Sequence, residues 1–154
     1  MIFPLWGFST GHAIPSRGGS AVRYKPLVPL TVVGPAGRIS PLVSVDTSAD
    51  DVVFPFDKAA LLGIDLSSAP VLSVGGVGGQ PAPVYYAPVI LVLTDHIDTY
   101  RWRATVGFTA AFMKFPLFGI AGGLEFFRTT LDGFLREVEI IAQPNLPATQ
   151  DASP

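Results

Sequence analysis

The most informative part of the chain lies at positions 42 to 51, which read Leu42-Val43-Ser44-Val45-Asp46-Thr47-Ser48-Ala49-Asp50-Asp51. An apolar, β-branched strand signal runs directly into Asp46, and small residues follow it. An unpaired charge at the edge of a core is costly, so a carboxylate there is usually hydrogen-bonded, protonated or functional. An aspartate at a strand end is, by itself, more often a turn or cap residue. The segment therefore predicts a buried strand and leaves both interpretations of Asp46 open.

Strand signals surround this segment on both sides. Residues 26–33 and 39–45 are predicted to form a hairpin around a turn at 34–37. Gly occurs 16 times and Pro 15 times, which favours short strands over long helices. Further strands are predicted at 52–54, 71–74, 84–86, 89–93, 100–108 and 138–141, with a hairpin turn at Asp132-Gly133. We therefore expect an all-β fold.

Two short helices are predicted within this fold. Residues 57–62 favour a helix, with Asp57 as a candidate cap at the start. Gly63 then suits the left-handed position that often follows a helix end, and Ile64 is expected to make the accompanying apolar contact. A second short helix is expected at about 122–127. The helices are thus minor additions to a β domain.

The composition favours one domain with its own core. The chain has 154 residues, of which 49% are hydrophobic and 14% charged. This balance argues against disorder and favours an oligomer with an apolar interface. We expect an N-terminal strand and linker extension at 1–21, a single domain at 22–143 and a disordered tail at 144–154.

Several function classes are disfavoured by composition. The net charge of −2 and the scattered basic residues argue against nucleic acid binding. The lack of cysteine excludes thiol chemistry and disulfides. His12 and His96 lack ligand-like neighbours, so we expect neither a metal nor another cofactor. The longest apolar run, 82–93, is shorter than a membrane helix and contains Pro83 and Pro88. We expect no membrane segment and a cytoplasmic location.

Three motifs, in order, resemble those of retropepsin-like aspartic proteases. The strand followed by Asp46-Thr47-Ser48-Ala49-Asp50 is similar to the active-site loop of that family. The run Val74-Gly75-Gly76-Val77-Gly78-Gly79 is similar to its glycine-rich flap, and Pro116-Leu117-Phe118-Gly119 to the strand before its C-terminal helix. The resemblance covers roughly residues 22–142 and is closer to small bacterial members than to viral ones. It implies a closed, barrel-like domain that acts as a homodimer.

The resemblance also implies a role for each matching residue. Asp46 of two chains would share one proton and activate a water, because this mechanism needs two carboxylates and the chain has one Asp-Thr-Ser. Thr47, beside Ser48 in the catalytic segment, would hydrogen-bond across the two-fold axis. The substrate-binding residues would be Ala49, Asp50, Asp51, Gly75, Gly76, Val77, Gly78, Gly79, Leu117 and Phe118. The expected partners are a second copy and a peptide or protein substrate with hydrophobic residues at the scissile bond.

Ser48 departs from the family pattern, which usually has glycine at this position. In a left-handed backbone, or at a close approach across the two-fold axis, its side chain would cost about 1–2 kcal/mol. Alternatively, its hydroxyl would hydrogen-bond the Asp46 carboxylate and favour the charged form. We expect a tolerated substitution with an altered pH optimum. The alternative is a catalytically silent, dimeric peptide-binding or scaffold module, and a third possibility is an unrelated β-barrel binding domain.

Ile120 is a second departure, because viral relatives have an arginine there that pairs with the acid matching Asp50. We therefore expect Asp50 to be solvated or to meet another cation, Arg23 or Arg128. The glycine cluster that resembles a flap would, by itself, be most simply a hairpin tip.

Overall fold

Strands make up about 50% of the structure, and helices about 8%. A computed structural model of the chain describes residues 1–75 and 81–147. Within these ranges the strands are β1 (Ile2–Pro4), β2 (Trp6–Ser9), β3 (Val22–Lys25), β4 (Leu27–Val33), β5 (Arg38–Ile39), β6 (Leu42–Val45), β7 (Val53–Pro55), β8 (Val71–Val74), β9 (Ala82–Thr94), β10 (Thr99–Thr109), β11 (Leu117–Phe118), β12 (Phe127–Asp132) and β13 (Glu137–Ala142). The predicted all-β class is confirmed.

Six of these strands close into a barrel. Their order is β4-β6-β11-β7-β10-β9, and β9 returns to pair with β4 through Leu30↔Leu93 to Val33↔Ile90. The longest pairing in the barrel joins β9 and β10, which run antiparallel from Thr99↔Thr94 to Thr109↔Val84. β5 and β8 extend the sheet beyond the barrel at its two edges. The short β11 lies parallel to β6 and antiparallel to β7.

The barrel encloses an apolar core that includes a cluster of aromatic rings. Alternate residues of β4, β9 and β10 point inwards, as strand geometry requires when one face is buried. Trp102 is fully buried, and its ring centroid lies 5.3 Å from that of Phe127 and 6.4 Å from that of Phe118. Its indole N–H donates to the Gly122 carbonyl at 2.8 Å, which satisfies the buried donor. The core thus ties β10 to β11 and to the start of β12.

The N-terminal strands pair within the same chain. β1 pairs antiparallel with β13, and β13 pairs with β12, which gives a three-stranded sheet. Phe3 on β1 is buried in the core. β2 pairs with β3 in a separate two-stranded ribbon, from Trp6↔Lys25 to Ser9↔Val22. The strand signal at the start of the chain therefore belongs to two elements with different neighbours.

The first predicted helix is present as α1 (Asp57–Leu62). Gly63 is left-handed, with φ of 71°, and the Ile64 N–H donates to the Ala59 carbonyl at 2.9 Å. The prediction that Asp57 caps the helix is wrong, because Phe56 occupies the cap position in a helical conformation without a side-chain cap. The first turn begins at Phe56, whose carbonyl accepts the Ala59 N–H at 3.2 Å, and the Asp57 carboxylate pairs with Lys58 at 2.7 Å instead.

The second predicted helix is a single 3₁₀ turn over Leu124–Phe126. The chain leaves this turn directly into β12, whose first residue, Phe127, is needed in the core. Another 3₁₀ turn occurs at Pro15–Arg17 in the loop between β2 and β3. None of the helices formed by residues 1–75 and 81–147 has the length and apolar character needed to cross a bilayer.

Candidate active site

Asp46 stands immediately after β6, where the chain turns. Its N–H donates to the Phe118 carbonyl at 3.1 Å, which continues the parallel pairing of β6 with β11. Its Oδ1 accepts hydrogen bonds from the Ser48 N–H at 3.0 Å and from the Ser48 Oγ at 2.6 Å. Its Oδ2 accepts no hydrogen bond from the residues that the structure describes. The side chain therefore forms the turn with one oxygen and leaves the other available.

Ser48 occupies its position without backbone strain. Among the described residues, the non-glycine residues with positive φ are His96 and Arg136, so Ser48 is not left-handed. The steric cost expected from a left-handed backbone at this position therefore does not arise. The other possibility, a hydroxyl bond to Asp46, is the arrangement in the structure.

Residues 46–51 form the candidate active-site loop, and the chain that follows β11 supports this loop. The Ile120 N–H donates to the Ala49 carbonyl at 3.0 Å, and the next N–H along the chain donates to the Asp50 carbonyl at 2.7 Å. Gly119 lies so close to the loop that a Cβ atom there would collide with the carbonyl oxygens of Asp51 and Ala49. The glycine of the third motif is thus explained by the close approach of two backbone segments.

A cleft of about 450 Å³ opens in front of this loop. The residues that line it include several that were predicted from the sequence: Asp46, Ser48, Ala49, Asp50, Asp51 and Leu117. Gly75 also lines the cleft, and it is the last described residue of the predicted flap. The predicted substrate-binding residues Gly76, Val77, Gly78 and Gly79 lie outside the described residues. Two of the three motifs are thus brought together around one cleft, with the start of the third.

Two of the predicted residues are placed next to the cleft and not in its lining. Thr47 is exposed, and its side chain makes no hydrogen bond to the described part of the chain. Phe118 is fully buried against Trp102 and Phe127, so its side chain supports the cleft from the core. Its carbonyl contributes directly by accepting the Asp46 N–H.

The cleft-lining residues that follow β10 were not predicted from the sequence. Ala111, Phe112 and Met113 line the cleft from the irregular segment 110–116, and Phe112 is 95% exposed. Val53, Val84 and Thr109 complete much of the remaining lining. A short apolar run after a long strand was the available signal, but an irregular segment has no periodicity that indicates which way its side chains point.

Tyr86 was also missed, although it contacts a predicted residue. Its hydroxyl donates to Asp51 Oδ2 at 2.7 Å and so connects β9 to the active-site loop. Burial raises the pKa of Tyr86 to about 12 from its ordinary value of 10.0, and the hydrogen bond to Asp51 and the charges of Asp51 and Asp50 add to the shift. The phenol therefore remains a donor throughout the physiological range.

We expect Asp51→Asn to lower the pKa of Tyr86 from about 12 towards 10.0. The change removes the carboxylate charge, while the burial of the phenol remains, so the return is partial. Because the folded-state pKa is raised, the associated stabilisation is present below pH 10.0 and is lost as the pH rises through about 12. A pH titration of phenolate absorbance measures the shift, with Tyr86→Phe identifying the signal and Asp98→Asn as the control. Superimposable curves for Asp51→Asn and wild type would contradict this account.

Asp50 has the solvated environment that was one of its two expected states. Its side chain is exposed, and no ion pair joins it to Arg23 or Arg128 in the described ranges. Ile120, at the position where the viral arginine was considered, is 40% exposed. The loop is therefore held by backbone hydrogen bonds at this point and not by a salt bridge.

The acidic side chains of the cleft are Asp46, Asp50 and Asp51. In residues 1–75 and 81–147, no group of three or more His, Asp or Glu side chains is arranged to hold a metal ion. What the cleft offers is an oriented carboxylate, two further acidic side chains and an apolar lining. No protein-family model matches the chain, and no curated protein matches it either.

Proposed function

We propose that the protein is a homodimeric aspartic endopeptidase in which Asp46 from each of two chains activates a water molecule. The observation that carries this proposal is the geometry of Asp46. Its carboxylate stands at the cleft, Oδ1 is held by Ser48, and Oδ2 receives no hydrogen bond from the described residues. Two such carboxylates facing each other provide one base and one acid, because like charges at short range do not both ionise.

The proposed reaction needs no group besides water and the two carboxylates. The ionised carboxylate takes a proton from water as the water oxygen bonds to the peptide carbonyl carbon. The protonated carboxylate gives its proton to the carbonyl oxygen, which forms a tetrahedral diol. The C–N bond then breaks as the newly ionised carboxylate takes a proton from one diol hydroxyl and the newly protonated carboxyl gives its proton to the amide nitrogen. The starting pair of one ionised and one protonated carboxyl group is thereby restored. Ser48 contributes by fixing the plane of the Asp46 carboxylate through Oδ1.

The second carboxylate has to come from a second chain. Asp51 is engaged through Oδ2 by Tyr86, and Asp50 is exposed without the paired contacts that hold Asp46. Thr47, exposed beside Asp46 with an unused hydroxyl in the described part of the chain, suits a contact across a two-fold axis. A symmetric pair of loops would thus supply the second carboxylate that one loop lacks.

The cleft favours an extended peptide with apolar side chains near the scissile bond. Val53, Val84, Met113 and Leu117 give the cleft a largely apolar lining. β8, whose outer side pairs with no strand of residues 1–75 and 81–147, borders the same cleft through Val74. An extended peptide can add to such an edge through backbone hydrogen bonds.

The direct test is cleavage of an unfolded protein substrate at mildly acidic pH. We expect cleavage that is blocked by pepstatin, together with sedimentation of the active species as a dimer. A dimer that binds pepstatin but cleaves no member of a peptide library would instead identify the catalytically silent peptide-binding module. A protein that remains monomeric at high concentration and cleaves nothing would contradict both.

Mixing subunits tests whether two copies of Asp46 form one site. After equal amounts of wild type and Asp46→Asn exchange freely, about a quarter of the pairs keep both carboxylates. The total activity of the wild-type chains should therefore fall to about half, because half of those chains have an inactive partner. Asp98→Asn, which is itself active, is the matched control, and its mixture with wild type should have the sum of the two separate activities. If the mixture with Asp46→Asn also kept the full activity of its wild-type chains, each chain would be acting alone.

A further inference from the structure

Segment 110–116, which contributes Ala111, Phe112 and Met113 to the cleft wall, makes few backbone hydrogen bonds. It is anchored at one end by the Ala111 N–H, which donates to Thr109 Oγ1 at 3.2 Å, and at the other by the Pro116 carbonyl, which accepts the Ser44 N–H at 2.8 Å. Between these anchors, the backbone groups of residues 112–115 make no hydrogen bond to any other described residue. Phe112 and Met113 lie in this stretch, so side-chain contacts must set where they stand.

The ribbon of β2 and β3 contacts this stretch through Phe8. The ring of Phe8 on β2 lies 5.6 Å from the ring of Phe115. The Lys114 ammonium lies 5.3 Å from the centroid of Phe8 and 5.7 Å from that of Phe115, within the range of cation–π attraction. Phe8, Lys114 and Phe115 therefore form a three-residue cluster, which we call the ribbon cluster.

The ribbon is a firm support because it continues into the barrel. Phe8 pairs with Arg23 on β3, and β3 is followed after one residue by β4 of the barrel wall. The position of Phe8 is thus fixed by a ladder of backbone hydrogen bonds. Because Lys114 and Phe115 contact Phe8, their positions are restrained by the ribbon. Both residues directly follow Met113.

We propose that Phe8 is a positioning residue that sets the shape of the substrate cleft by holding the wall at Phe112 and Met113. The Phe8 side chain acts through Lys114 and Phe115, and nothing in its arrangement places it on the reacting atoms. The β2 strand therefore supports the cleft wall without lining it, and removal of β2 would change which substrates bind. The effect on substrates rests on the proposed peptidase function, whereas the effect on the wall does not.

The test is Phe8→Ala in the full-length protein, with two readouts. The chain has two methionines, so ¹³C-methyl labelling gives one signal for Met113 in the cleft and one for Met1 as an internal reference. We expect the Met113 signal to shift or broaden while the Met1 signal stays. For a peptide with apolar residues at the scissile bond, KM should rise by about threefold to tenfold, with kcat changed by less than about twofold. Phe8→Tyr, which keeps the ring, should restore both values.

Matched variants separate this effect from general instability. Phe134→Ala removes a ring that is 93% exposed in the turn between β12 and β13, and it should change neither readout. If Phe8→Ala lowers the melting temperature strongly, Lys114→Gln replaces it as the deciding variant, with the same direction expected. An unchanged Met113 signal together with an unchanged KM would overturn the proposal. If wild type cleaves no peptide, the peptidase proposal fails and the Met113 signal alone decides this one.

Discussion

Asp46→Asn is expected to abolish peptide cleavage, with kcat lower by about 10⁴-fold, the upper range for losing general acid–base catalysis. An amide neither accepts a proton from water nor shares one with its symmetry mate, so both halves of the proton transfer are removed. The measurement is the initial rate of cleavage of a fluorogenic peptide at mildly acidic pH, compared with the uncatalysed background.

The same substitution should leave the fold intact, so a loss of cleavage would report on catalysis and not on unfolding. The Asn side-chain oxygen can still accept the Ser48 N–H and Oγ hydrogen bonds that Oδ1 accepts in wild type. We therefore expect dimerisation and the melting temperature to stay close to those of wild type. Asp98→Asn changes an exposed aspartate in the turn between β9 and β10, and it should retain full activity. Wild-type kcat in Asp46→Asn would remove Asp46 from the mechanism.

Gly119→Ala is expected to have the largest effect on stability, a loss of about 2–3 kcal/mol in the free energy of unfolding. The added methyl group collides with the carbonyl oxygens of Asp51 and Ala49, which belong to a hydrogen-bonded loop and have little freedom to move. For a domain of this size, the melting temperature should fall by roughly 5–10 °C. Scanning calorimetry measures the change, and activity should fall as the loop shifts.

Gly133→Ala is the matched control for this prediction. Gly133 lies in the turn between β12 and β13, and a Cβ atom built there has no other atom within 4 Å. Its stability should stay within about 0.5 kcal/mol of wild type. If both alanine variants melted at the same temperature, the close approach at Gly119 would not be what braces the active-site loop.

The strands and α1 were predictable because their signals are local. Alternation of apolar and polar residues follows from the two-residue period of a strand, and it predicted β10. The single strand β9 was predicted as two strands, at 84–86 and 89–93. Gly63 marked the end of α1 because its left-handed backbone suits glycine. The closure of the barrel itself came from a family resemblance and not from any single pattern in the chain.

The features that escaped prediction are contacts between distant parts of the chain. Tyr86 and Asp51 are 35 residues apart, and a tyrosine in an apolar strand is most simply a core residue. The cleft position of Phe112 depends on an irregular segment, and the support from Phe8 spans more than a hundred positions. Asp57 failed as a cap because the first turn begins at Phe56, whose carbonyl accepts the Ala59 N–H, and the Asp57 carboxylate pairs with Lys58 instead.

The pairing of β6 with β11 also determines when the site can form during synthesis of the chain. The Asp46 N–H bonds to the Phe118 carbonyl, and Ser44 lies opposite Leu117 in the parallel ladder. Contacts of such long sequence separation form late, because the intervening chain has to be present first. On the ribosome, Asp46 emerges long before its support does. A nascent chain therefore carries the carboxylate without the framework that orients it until β11 has also been synthesised.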